Sequence, residues 1–118
     1  PEVRRVAREL AGEWRATWSH AQALAFADVC IREPHLEMKA VAIESMAARQ
    51  RDLRAADLTT FKRWLATNRA ANWATTALLC GTLIAPLLGR HPELVDDVAA
   101  WVSHRNLWVR RAAAVSLV

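Results

Sequence analysis

A chain of 118 residues is long enough for one hydrophobic core, so a single domain spanning 1–118 is the expectation. Just over half of it is hydrophobic (53%), and it holds only three glycines and four prolines, which disfavours hairpin-rich β folds and points to an all-α protein. The formal charge is +4, and fourteen of the sixteen cations are arginine, a bias that suits phosphate partners because the guanidinium fork grips phosphate with two hydrogen bonds. Cys30 and Cys80 each lie in an apolar run with no C-x-x-C partner, so they read as buried thiols of a reducing compartment. No opening signal peptide and no membrane-length apolar run are evident, so a cytoplasmic protein without a membrane partner is expected.

Seven helical segments follow in chain order. The first, "EVRRVARELAGEW", places Val3, Val6, Ala7 and Leu10 on one face at i, i+3, i+4 spacing. The second starts at the N-cap residue Ser19 and runs to Arg32, with Pro34 stopping it. The third is "HLEMKAVAIESMAARQ", and the fourth runs from about Asp57 to Thr67. The fifth begins after the N-cap Asn72 and reaches Leu88, with Pro86 bending or ending it. The sixth, "HPELVDDVAAWVSH", has proline in its first turn, and the seventh starts after Asn106 and reaches Val118.

The segments repeat. Laying "PHLEMKAVAIESM" over "RNLWVRRAAAVSL" sets His35 on Asn106, Lys39 on Arg110 and Ser45 on Ser116, 71 residues apart. Asn72 of "ANWATTALLCGTL" falls between, 37 residues after His35 and 34 before Asn106. Segments three, five and seven are thus one helix type, alternating with two, four and six. That is the pattern of an α-solenoid of about three antiparallel helix pairs, with the more apolar set lining the concave side. A compact seven-helix bundle is the other arrangement open to the same segments.

The register assigns candidate residues. Ala40, Ala77 and Arg111 are equivalent and form one row, with Lys39, Thr76 and Arg110 beside it. Trp73 lies one turn before Ala77 and flanks the same row, so an indole and an arginine could stack on a base and hold a phosphate. Arg69 and Arg105 precede inner helices, where they would edge the groove. His20, His35, His91 and His104 show no metal-ligand spacing, and no nucleophile elbow or phosphate-cradling glycine loop occurs. No metal and no cofactor are expected.

On the stretches "PHLEMKAVAIESM", "NWATTALLCGTLIAPLL" and "NLWVRRAAAVSLV", with "PEVRRVAREL" near the start, the chain resembles the DNA alkylation repair family of AlkD-type glycosylases. The resemblance implies HEAT-like repeats in a right-handed superhelical arc with a basic concave groove. It implies duplex DNA as partner and N3- and N7-alkylated purines as the bases excised, with a carboxylate stabilising the cationic transition state. The family's catalytic tryptophan carries over to Trp73 and its arginine to Arg111, whereas its aspartate position is occupied by Ala77. Glycosylase chemistry is therefore expected to be impaired, with a non-catalytic HEAT-like scaffold for DNA or protein as the alternative. Glu37, the nearest other acid on an inner segment, sits at a different register. A solenoid ending at Val118 would be truncated, with an apolar C-terminal end open to association.

Overall fold

A computed structural model of the protein describes Glu2, Arg5, Val6, Glu9 and residues 18–117. Among these residues every regular element is helical and no strand occurs. The chain forms two compact units, Pro1–Leu53 and Arg54–Val118. Most of the first predicted segment lies outside the described residues; Glu2, Arg5, Val6 and Glu9 are helical.

In the first unit, α1 (His20–Ile31) packs on α2 (Leu36–Ala47). Ser19 starts α1 with a complete capping box: its hydroxyl accepts from the Gln22 N–H at 3.1 Å, and the Gln22 side chain accepts from the Ser19 N–H at 2.8 Å. Ala23, Ala27, Cys30 and Ile31 form the buried stripe of α1, and Ala42, Ile43 and Met46 that of α2. Small residues on α1 let the two backbones approach. Past the end of α2, the buried Arg49 donates to the Trp18 carbonyl at 3.1 Å and pairs with Asp52.

The second unit opens with α3 (Asp57–Ala66), whose core face is Leu58, Phe61, Trp64 and Leu65. It ends in a Schellman motif. Asn68 adopts a left-handed φ of 61°, and the N–H groups of Asn68 and Arg69 donate back to Leu65 and Trp64 at 3.1 and 2.8 Å. The fifth predicted segment is one rod, made of α4 (Trp73–Leu79), a π turn (Cys80–Ile84) and α5 (Ala85–Arg90). Pro86 does not end it. The widened turn comes directly before the proline, where an α-helix would set the ring against the Thr82 carbonyl.

The sixth predicted segment is broken rather than continuous. Short 3-10 turns at Pro92–Leu94 and Ala100–Ser103 flank α6 (Val95–Ala99). The tighter turns satisfy groups that a five-residue helix leaves unpaired at its ends. The final helix, α7 (Leu107–Leu117), packs against α3, α4, the π turn, α6 and the second 3-10 turn. Val109, Ala112, Ala113 and Ser116 are its buried residues, while Leu107, Val115 and Leu117 are exposed. Cys30 and Cys80 are free and buried, as the sequence led us to expect.

Candidate nucleic-acid interface

The site is built on α4 and α7, and local capping fixes where each begins. Asn72 caps α4 by accepting from the Thr75 N–H at 2.7 Å. Asn106 caps α7 by accepting from the N–H groups of Trp108 and Val109 at 2.8 and 3.3 Å. Its amide then donates outward, to the Ala66 carbonyl at 3.3 Å and the Asn68 side chain at 3.0 Å. The start of α7 is thereby tied to the end of α3. His104 braces the same turn, its Nδ1 accepting from the Asn106 N–H at 2.9 Å. That geometry holds the imidazole as the tautomer with its proton on Nε2.

From these starts, Trp73 leaves the first turn of α4, and Trp108 and Arg111 leave α7 three residues apart, hence on one face. The three side chains meet. The Arg111 guanidinium carbon lies 3.9 Å from the Trp73 ring centroid and 5.4 Å from that of Trp108. The two indoles stand edge to face, with centroids 5.8 Å apart and planes at 84°. Trp73 is 63% exposed, so this indole is a surface group and not core packing. Ala77, one turn along α4, is also exposed and carries no charge into the site.

The neighbouring row behaves differently. Thr76 is buried and donates to the Ala70 carbonyl at 2.7 Å. Arg110 donates to the carbonyls of His104 and Arg105 at 2.8 and 3.0 Å. In the first unit Lys39 is buried, its ammonium donating to the Ile31 carbonyl at 2.8 Å, on the last residue of α1. Each of these three side chains thus reaches back to the turn or helix end before its own helix. Arg69 and Arg105 are exposed in the turns preceding α4 and α7.

Trp108 was not singled out from the sequence, where one tryptophan among six reads as packing. Its signal was its place three residues before Arg111. Elsewhere in the unit, an open pocket lies between α3 and the segment after His91, with Lys62, Asp97, Trp101 and His104 in its wall. Among the described residues no group of three His, Cys, Asp or Glu is placed to hold a metal ion, and no helix is long and apolar enough to cross a membrane.

The arrangement offers an exposed aromatic face, a stacked guanidinium and flanking arginines, which are the groups that hold bases and phosphates. No curated protein and no solved structure matches this chain. The family profile described as "DNA alkylation repair enzyme" matches residues 1–118, the whole chain. The chain therefore belongs to the DNA alkylation repair enzyme family.

Proposed function

We propose that the face carrying Trp73, Ala77, Trp108 and Arg111 meets duplex DNA containing N3- or N7-alkylated purines, and that excision is impaired because Ala77 stands where the family has its catalytic aspartate. The stacking of Arg111 on the exposed Trp73 supports this reading most directly. It joins the two family site residues that the chain retains. An alkylated purine is already cationic and leaves readily, so the chemistry needs chiefly an anion beside the sugar as positive charge develops. Alanine supplies none. Arg69 and Arg105 would flank the DNA backbone, whereas Lys39, Thr76 and Arg110 are occupied with backbone carbonyls and would act through the fold.

The test is release of methylated purine from alkylated duplex DNA by the natural chain and by Ala77→Asp. Restoring the carboxylate should raise excision on the order of a hundredfold. Equal release by both proteins would refute the assignment of position 77.

The uncharged surface at Ala77 also favours a second reading, a HEAT-like scaffold that binds DNA or protein without excising anything. Phosphate contacts give an affinity that falls steeply with added salt, whereas a protein-binding scaffold shows little affinity for duplex at any salt.

A further inference from the structure

We propose that the pocket between α3 and the segment after His91 binds a small zwitterion of the amino-acid type with an aromatic body, its carboxylate held by Lys62 and its ammonium group by Asp97. The pocket shares no residue with the face that carries Trp73, Ala77, Trp108 and Arg111, so the proposal stands apart from the DNA reading.

Two helical stretches of one compact unit make the walls. Leu58 and Lys62 lie four residues apart on α3. Leu94, Asp97, Trp101 and His104 recur at three- and four-residue spacing on the other stretch, so each stretch turns one face to the pocket. The space between them is about 470 Å3, within the range of small-ligand sites. Leu58, Leu94 and Trp101 are buried and supply an apolar lining, in which the indole favours an aromatic body.

The polar groups select the ligand. Among the described residues the Lys62 ammonium and the Asp97 carboxylate make no hydrogen bond and no ion pair, with each other or with any other group. Two opposite charges that line one pocket without closing on each other leave a gap. A molecule carrying both charges fills it with a charge-assisted hydrogen bond at each end. A simple anion would be repelled by Asp97 and a simple cation by Lys62, whereas a zwitterion answers both. Lys62 is half-buried and Asp97 exposed, which sets the carboxylate end inward and the ammonium end at the mouth. His104 adds a neutral donor, which suits a carboxylate and not an ammonium group. Its Nδ1 accepts from the Asn106 N–H at 2.9 Å, so the ring is fixed with its proton on Nε2, and that N–H has no partner among the described residues.

The test is titration of the whole chain at neutral pH and low salt with phenylalanine, with phenylpropionate, which lacks the ammonium group, and with phenethylamine, which lacks the carboxylate. Backbone and indole N–H resonances read the binding. Phenylalanine should bind several-fold more tightly than either analogue. Lys62→Met should weaken phenylalanine several-fold and strengthen phenethylamine, which no longer meets a like charge. Asp97→Asn should weaken phenylalanine and strengthen phenylpropionate. Failure of phenylalanine to bind, equal binding of the three compounds, or an unchanged ranking in both variants would overturn the proposal.

Discussion

Asn106 reaches Asn68 across 3.0 Å, joining the cap of one helix to the left-handed residue that ends another. The same side chain accepts from two N–H groups at the start of α7. Replacing Asn106 with alanine removes both functions, and loss of an N-cap alone costs about 1–2 kcal/mol. Serine keeps a cap acceptor but is too short to bridge to Asn68. Urea unfolding should therefore rank the natural chain above Asn106→Ser, and Asn106→Ser above Asn106→Ala.

Arg110 and Arg111 should separate cleanly. Arg111→Ala should leave the unfolding midpoint nearly unchanged while lowering duplex affinity and reducing the slope of log affinity against log salt by about 1. Arg110→Ala removes donors from the carbonyls of His104 and Arg105, so it should lower stability by about 1 kcal/mol and leave the salt slope intact. Binding isotherms at several salt concentrations, with matched denaturation curves, read both effects.

Lys39 should follow Arg110 and not Arg111. Its ammonium covers the Ile31 carbonyl, one of the groups left open at the end of α1. Lys39→Met keeps the aliphatic packing and removes the donor. It should destabilise the protein by about 1–2 kcal/mol, since the donor is charged and the site buried, with duplex affinity altered only through the fraction folded. A loss of salt-dependent affinity in a fully folded Lys39→Met protein would place this ammonium on DNA instead.

Burial pushes the Cys80 thiol above its ordinary value of 9.0, opposed by a smaller effect of the nearby Ser116 hydroxyl. Below about pH 9 folded and unfolded chains both keep this proton, so the thiol contributes no pH dependence. Above that the unfolded chain releases its proton first, and stability falls as pH climbs from the ordinary value toward the raised one. The thiol also donates to the Ala112 carbonyl at 3.7 Å, a contact available only to the neutral form. Cys80→Ala should therefore flatten the alkaline arm of the stability profile measured by urea unfolding.

Helix starts were legible in the sequence because caps are local chemistry. Ser19 and Asn72 each bind N–H groups within three residues and cap as read, and Asn106, read only as the residue before the last segment, caps in the same way. The repeat register read from the sequence sets Lys39, Thr76 and Arg110 at one position, and in the structure each of them donates to a backbone carbonyl. The use of those side chains was not legible. Adjacent helical residues point about 100° apart, so a one-residue register error exchanges a structural donor for an outward one. Whether a long cation turns to solvent or folds back depends on the turn beside it, which composition does not encode. Trp108 was missed for a related reason: one tryptophan in sequence looks like another until a neighbouring helix shows which has a cation on its face. The π turn escaped because its residues fit an α pattern equally well.

That turn sets a rule for variation along the rod. A substituted Gly81 would meet nothing within 4 Å, so the letter at this position is free to change. The number of letters has one step of slack. A π turn holds one residue more than an α turn, so losing one residue within Cys80–Ile84 closes it to an α turn and leaves Trp73, Leu87 and Leu88 on their present faces, whereas losing a second turns everything beyond by about 100° and carries Leu87 and Leu88 out of the core. Drift in this family member should accordingly tolerate a change of one residue in length here, with larger insertions and deletions confined to the turns outside the rod.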